Sequence, residues 1–492
     1  MIALILASGA IGFVGLVIFR TLTYPNKQIK PSAGQSFDTS FIQENEDRLV
    51  SNLQQVVRFN TTSRERGDMN YEEILKVHQF IQQAFPTIHS SPLVKREVIN
   101  QYSLLYTVEG SEPSLKPYIL CAHMDVVPVE EDSWDVPPFE GRLVDGFIYG
   151  RGTLDDKHSL LGILEALEFL LQRGEKPVRP IILAFGHDEE VEGRDGAKEI
   201  AAVLKDRGIQ AEFLIDEGLT VTDGLVPGMS NLVALVGVAE KGYLNLELSV
   251  DSAPTGHASM PPKETNIGIL SQAVSRLETN PFPSMFGKGP ERAMFEFLGA
   301  EIIFPLKMVI ANFWLFSPIF EWIMSRKPST NAFLRTTTAL TVFKGGIKRN
   351  VLPPSATANI NFRIHPAQTV QDVIDYVKKV VNDDRIKLKT IAAHEPSHIS
   401  PYSESSLGFK SIAQCVKQVF PGASVSPSVL IANTDTKWYP DITANRYRFF
   451  PVVTDASDIN RIHGHNERIS IGHYLEMVQF YYLLMKHADN HS

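Results

Sequence analysis

The 492-residue chain carries 47 Lys and Arg against 56 Asp and Glu, a net charge of -9 with no basic block, which argues against nucleic acid as a partner. Its 43% hydrophobic and 21% charged content are those of folded globular domains, and its length suggests two or three of them. Two cysteines, Cys121 and Cys415, are too few for a thiolate zinc site or a disulfide scaffold and read as separate buried thiols.

In chain order, Ile2 to Phe19 come first, with no charge and a single hydroxyl at Ser8. As a helix this run rises about 27 Å, near the thinner end of bilayer cores. Residues 1–23 therefore predict a membrane anchor. The alternative is a cleaved signal peptide, whose apolar core is usually shorter and ends at a small-x-small site; here "RTLTYP" follows. Either reading sends the chain into the secretory pathway, anchored by one pass with its catalytic part lumenal or extracellular, or secreted. Arg20, Lys27 and Lys30 after the run bias the other way. The sequons at Asn60 and Asn490 are compatible with a lumenal location. Residues 24–40 read as a polar stalk.

From residue 41 the pattern alternates. "FIQENEDRLVSNLQQVV" is an amphipathic helix, "PYILCAH" a strand, "HSLLGILEALEFLLQRG" a helix stopped at Gly174, "RPIILAFGHDEE" a strand with its exit loop, "DGAKEIAAVLKDRG" a helix and "AEFLIDEG" a strand. Helices alternating with continuously apolar strands predict a doubly wound α/β catalytic domain on a parallel sheet. From about Val238 the character changes: "YLNLELSV", "TTALTVFKGG" and "SATANINFRI" alternate with period two, and "TVQDVIDYVKKVVND" is a helix. Residues 238–397 thus predict a smaller α+β lid or dimerisation domain. It is inserted between two catalytic segments, 41–237 and 398–492, the second ending in a helix at "YLEMVQFYYLLMKH".

Metal-capable side chains gather where strands end. His123 and Asp125 follow the first quoted strand, Asp155 sits in the glycine-flanked "YGRGTLDDKHS", Glu189 and Glu190 in "AFGHDEEVEG", Asp216 in "FLIDEG" and His463 in "RIHGHNE". Carboxyl ends of strands in an open α/β sheet line one crevice, where ligands bind. Imidazoles and carboxylates without thiolate suit zinc, manganese or cobalt, and the number of donors fits two metals sharing a carboxylate. Of an adjacent Glu-Glu pair, one can bind metal while the other moves a proton.

The strings "AHMDVVPV", "GRGTLDDKHS", "DEEVEG", "GVAEKGYLNLEL", "PTGHASMPP" and "HGHNERIS" together resemble the dinuclear zinc amidohydrolase and peptidase family of aminoacylase and carboxypeptidase S, over roughly residues 45–485. "ANFWLF", "WDVPPFEG" and "RTTTALTVFKGGIKRNVLPPSATANINFRIHP" are most similar to its carboxypeptidase S and N-fatty-acyl-amino-acid synthase/hydrolase branch. The resemblance implies two zinc ions bridged by Asp155, with His123 and Asp216 completing one site and Glu190 and His463 the other. It implies Glu189 as general base, Asp125 orienting His123, His257 stabilising the oxyanion (from across a homodimer in dimeric members), and Asn350 and Arg363 holding the substrate carboxylate. Lys157 and His158, which follow Asp156, read as local structure, His187 as a loop residue, and His465 as a neighbour of the ligand.

The expected activity is metal-dependent hydrolysis, and reversible formation, of N-acyl amino acids from a fatty acid and an amino acid. A lumenal carboxypeptidase or dipeptidase is the alternative, and an inactive membrane-anchored binding protein is the alternative of another class. Residues 282–324 hold eight of 28 phenylalanines and two of four tryptophans. They read either as core or dimer contact, or as an apolar wall for a long acyl chain resting on the membrane.

Overall fold

A computed structural model of the chain describes residues 2–30 and 37–489, with side chains of the first helix from residue 8 onward. Part of the expected anchor and stalk, and the Asn490 sequon, lie outside the described residues. Among those described, no helix is long and apolar enough to cross a membrane.

The larger unit is built on one eight-stranded sheet. Its order is Ser424–Leu430, Val233–Glu240, Arg446–Thr454, Leu214–Thr222, Tyr118–His123, Ile181–Gly186, Ser103–Val108, Val94–Ile99. The central run from Arg446–Thr454 to Ile181–Gly186 is parallel. The two strands beyond Ile181–Gly186 are antiparallel, so the expected parallel sheet is in fact mixed. Tyr118–His123 and Ile181–Gly186 are buried at every residue, as strands covered on both faces must be.

Helix Lys157–Gln172 lies inside this unit, with buried residues on all sides. It packs on the C-terminal helix Ile471–His487 and on Glu46–Val57. Its two carboxylates are satisfied where they are buried: Glu165 accepts from Arg48 Nη1 (2.7 Å) and Asn52 Nδ2 (2.6 Å). Glu168 accepts from the amides of Thr87 and Ile88. An unpaired carboxylate there would cost several kcal/mol, so these acids are structural. Cys121 and Cys415 are both buried and free.

The second unit is a four-stranded antiparallel sheet, Thr337–Gly345, Ala356–Ile364, Gly242–Val250 and Lys387–His394 in that order. Helices Asn266–Thr279 and Val370–Val381 cover it and share its own core. Strand Val233–Glu240 still belongs to the larger sheet, so the crossing falls at Lys241, a few residues later than the change of pattern near Val238. The chain returns at Ser397 and Ser400, whose amides donate to the carbonyls of Glu240 and Val238. The crossing is clamped. Glu240 accepts from the Thr434 amide and hydroxyl, the Thr436 hydroxyl and Arg448 Nη2. Lys241 Nζ donates to the carbonyls of Ala332 and Arg335, both at 2.8 Å.

The aromatic stretch departs from the expected layout. Although it lies within the inserted segment, helices Glu291–Leu298, Leu306–Ala311 and Phe313–Met324 do not join the lid core. Phe295, Leu298, Ile310, Phe313 and Phe320 form a cluster with Val226 and Val233, and Glu291–Leu298 packs on the edge strand Ser424–Leu430. The core reading therefore holds for six of the eight phenylalanines, since Phe286 also packs on this cluster, Phe282 belongs to the lid core and Phe297 packs on the main core.

Candidate metal centre

Each arm of the site is placed by a local device. His123 ends its strand, and its Nδ1 meets the Asp125 carbonyl at 3.0 Å and the Asp125 carboxylate at 3.3 Å. Asp125 is wholly buried. Its Oδ1 accepts from the Glu189 amide (3.1 Å), and its Oδ2 from the Glu190 amide (3.2 Å) and the Ser63 hydroxyl (2.7 Å). One carboxylate thus orients the histidine and fixes the backbone of the Glu-Glu pair. A buried carboxylate so placed can support a ligating histidine.

The Asp155 loop is held by Glu467, which sequence reasoning left unused although it lies in the "HGHNERIS" string. Glu467 accepts from the amides of Gly152, Leu154 and Asp155 and from Arg151 Nη1. Arg151 Nη2 donates to the Gly464 carbonyl at 2.8 Å, which ties this loop to the one carrying His463. His463 has a left-handed backbone (φ 58°), a conformation uncommon for a residue with a Cβ. Its Nε2 lies 3.0 Å from Asp155 Oδ2 and 3.2 Å from Glu190 Oε2.

These contacts converge. His123 Nε2 is 2.9 Å from Asp155 Oδ1, so Asp155 stands between the two histidines. Ligand atoms of His123, Asp155 and Glu190 lie within 4.8 Å of one another, as do those of His123, Glu189 and Glu217. Burial works against the charge on Asp155, but the hydrogen bonds from His123 and His463 outweigh it and hold its carboxyl well below the usual range. Burial pushes the Glu189 carboxyl well up, and burial with neighbouring Asp155 pushes Glu190 to about 7. Glu190 Oε1 and Asp216 Oδ2 are buried without a hydrogen-bond partner. So many acids packed on two imidazoles form a donor set that cations would balance, and its nitrogen and oxygen atoms suit the borderline divalent metals.

The expected ligand Asp216 shares its place with a second acid. Asp216 and Glu217 are neighbours on strand Leu214–Thr222, which runs on past both rather than ending there. Glu217 Oε2 reaches within 3.7 Å of His123 Nε2. Asp216 instead sits opposite Arg448 in the sheet and accepts only from the Glu217 amide, and it is in neither group of converging ligand atoms. The "IDEG" string held two acids, and choosing between them needed the side of the strand that faces the crevice.

Two further charged residues at this centre carried no sequence signal of their own. Asp435 is buried and sits against the Glu189–Glu190 loop: a Cβ on Gly193 (φ +66°) would fall 2.0 Å from its Oδ1. Only glycine fits at that place. Lys437, two residues on, raises the positive field at both Asp435 and Glu189.

The lid residues are arranged in two groups. His257 pairs with Val351 in a short antiparallel ladder, and the Ala258 amide donates to the Asn350 carbonyl. Together they line a cavity of about 450 Å³ with Thr255, Leu352 and Pro354. His257 is exposed, its Nδ1 within 2.8 Å of the Ser259 hydroxyl. Among the described residues no hydrogen bond or ion pair links His257 or Asn350 to the carboxylate cluster. Arg363 crosses the domain boundary and donates from Nη1 to Asn433 Oδ1 at 2.9 Å.

A strand-end cluster of this kind on a mixed α/β sheet with a separate lid defines a metal-dependent hydrolase. Comparison with known proteins agrees. Residues 119–487 match the model of peptidase family M20/M25/M40, and the chain belongs to that family. It is 47% identical over 481 residues to the N-fatty-acyl-amino acid synthase/hydrolase PM20D1 of Xenopus tropicalis, covering 98% of this chain and 94% of that protein. It is 41% identical over 499 residues to a probable carboxypeptidase S-like 2 of Dictyostelium discoideum, covering 100% and 95%. Among solved structures, the M20 family metallo-carboxypeptidase Sso-CP2 of Sulfolobus solfataricus shares the fold with a TM-score of 0.62 at 16% identity, over 92% of this chain and 100% of that one.

Proposed function

We propose that the protein hydrolyses, and reversibly forms, N-acyl amino acids with long-chain acyl groups. The observation that carries this is the Glu189 carboxylate set within the converging donor group, in a chain 47% identical to a synthase/hydrolase of that substrate class. His123 with Glu217, and Glu190 with His463, would hold two zinc ions, or manganese or cobalt, and Asp155 would be shared. Bound metal supplies a Lewis acid for the acyl carbonyl and makes water a nucleophile near neutral pH. The chain's own part is proton handling and orientation. Glu189 takes the proton of the attacking water and passes it to the departing amine as the C–N bond breaks, leaving a fatty acid and an amino acid. The Arg363 guanidinium, now bonded to a neutral amide oxygen, offers a planar fork to the amino-acid carboxylate. His257 and Asn350, apart from the cluster in one chain, would serve it from a second copy in a homodimer.

The reading of strand Leu214–Thr222 has a direct test. Glu217→Gln is expected to lower bound metal by about one equivalent per chain, because an amide is a poorer ligand than a carboxylate. Asp216→Asn is expected to leave the metal content nearer that of the unaltered protein. Elemental analysis of both purified variants decides, and the opposite pattern returns the ligand role to Asp216.

We also propose a single-pass anchor with the catalytic part in the lumen or outside the cell; the uncharged run Ile2–Phe19 supports it. Protease added to sealed microsomes is expected to spare the folded part, and digestion from the cytosolic face refutes the placement. The similarity to a carboxypeptidase S-like protein favours a second reading, a lumenal carboxypeptidase, which a substrate panel separates from the first.

A further inference from the structure

The helix Ile2–Leu22 is not a free tether. Asn312 Nδ2 donates to the Val17 carbonyl and to the Thr21 hydroxyl, both at 3.2 Å, and Arg20 Nε donates to the Ala311 carbonyl. Phe13 meets the Trp314 ring edge-on with centroids 5.8 Å apart. The chain after the helix is fastened too, contrary to the expected stalk at residues 24–30. Tyr24 donates to the Glu296 carbonyl and Lys27 pairs with the Glu296 carboxylate at 2.7 Å. The Gln28 side chain bonds both the amide and the carbonyl of Val425, on the sheet edge. The first helix therefore has a set direction relative to the catalytic sheet.

Helix Leu306–Ala311 packs along the first helix, and helix Phe313–Met324, which touches it through Trp314 on Phe13, is apolar on two faces. Phe313 and Phe320 point into the core. Trp314, Ile319, Trp322 and Ile323, spaced i, i+5, i+8 and i+9 over roughly half the circumference, are all more than half exposed, as are Ile303 and Phe304 before it. On the first helix, Ile11, Val14, Phe19 and Leu22 are also more than half exposed, and of residues 8–22 only Val17 and Thr21 are buried. Two helices that meet at Phe13 and Trp314 thus both leave apolar side chains uncovered, more than the scattered apolar residues of ordinary surfaces.

We infer that helix Phe313–Met324 lies in the same lipid leaflet that receives the first helix, with Trp314, Ile319, Trp322 and Ile323 against acyl chains. The inference rests on the anchored reading above. Three observations select lipid as the occupant. The exposed face of Phe313–Met324 joins, at Trp314 on Phe13, a helix that is apolar on every described face up to Phe19, as a lipid-facing helix is. Trp314 packs on Phe13, nine residues before the end of that helix, so it sits roughly 14 Å along the axis from the exit end, deeper than headgroups. At the far end of Phe313–Met324 the Arg326 guanidinium stacks on the Trp322 ring at 4.2 Å with Lys327 next, the aromatic and cationic pairing of a membrane interface. The inserted segment would then hold the catalytic module down on the bilayer.

The test uses the full chain reconstituted into phosphatidylcholine vesicles with nitroxide-labelled acyl chains. Trp314 and Trp322 are two of four tryptophans; Trp134 is buried and Trp438 lies beside Lys437, partly buried. Quenching of tryptophan emission is expected, and Trp314→Phe with Trp322→Phe is expected to abolish most of it. Metal content and elution volume report whether that variant has folded. Each single substitution removes part of the quenching and keeps the test open if the double variant has not. The inference is overturned if the chain floats with the vesicles but quenching is the same with and without these two rings. It is likewise overturned if the patch is unquenched and buried between two copies, which cross-linking reveals. If the chain does not float at all, the anchored reading fails together with it.

Discussion

Glu189→Gln is expected to keep the full complement of metal and to lose most turnover, with kcat/KM falling by about 10²–10⁴, the usual worth of a positioned proton-transfer group. The neighbouring substitution Glu190→Gln is expected to behave differently and lose metal first. The geometry separates the two. Glu190 Oε2 is 3.2 Å from His463 Nε2 and shares a ligand group with His123 and Asp155, so its carboxylate charge is needed to hold a cation. Glu189 lies in the other group, with His123 and Glu217, but among the described residues it forms no ion pair with either histidine, and burial pushes its carboxyl up. Both residues hang from Asp125 by their amides, and that support survives either substitution. Elemental analysis and kinetics on the same samples decide. Metal loss from Glu189→Gln with retention in Glu190→Gln would exchange the two roles.

Much of this centre was readable from the sequence because strand ends in a doubly wound sheet share one rim. His123, Asp155, Glu190 and His463 come together although more than 300 residues separate the first from the last. What pattern could not supply was direction. Asp216 and Glu217 are equally acidic and adjacent, and only the structure shows that Glu217 Oε2 comes within 3.7 Å of His123 Nε2 while Asp216 Oδ2 is buried and unpaired. Glu467, Asp435 and Lys437 were missed for a related reason. Glu467 acts through backbone amides, Asp435 through a glycine that lets it approach, and Lys437 through its charge, and none of these leaves a recurring spacing. The lid strands alternate cleanly and were placed to within a few residues. The aromatic stretch had helical apolar residues on more than one face, so periodicity could not tell which element they pack on. Its inner face belongs to the edge of the catalytic sheet.

A series of N-acyl derivatives of one amino acid, from acetyl to long-chain, is expected to show kcat/KM rising by several powers of ten. Each methylene moved from water to an apolar site is worth about 0.8 kcal/mol. Eight of them contribute up to about 6 kcal/mol, less the cost of ordering the chain. The structure narrows where that energy can arise. Phe286, Phe295, Phe313 and Phe320 are occupied with one another, so replacing Phe313 would test folding rather than acyl binding. The exposed side of the same helices is free, and on the reading above it meets lipid. Then the acyl chain has two apolar hosts, bilayer and enzyme. A substrate already dissolved in a bilayer has gained its transfer energy before it binds. The rise with chain length is therefore expected to be steep for monomeric substrate in detergent-free buffer and distinctly shallower when substrate and full-length protein share vesicles. Measuring the series both ways separates recognition of the chain from mere concentration at the membrane. A flat profile for monomeric substrate, with ready cleavage of unacylated dipeptides, would sink the long-chain reading and leave the lumenal carboxypeptidase in its place.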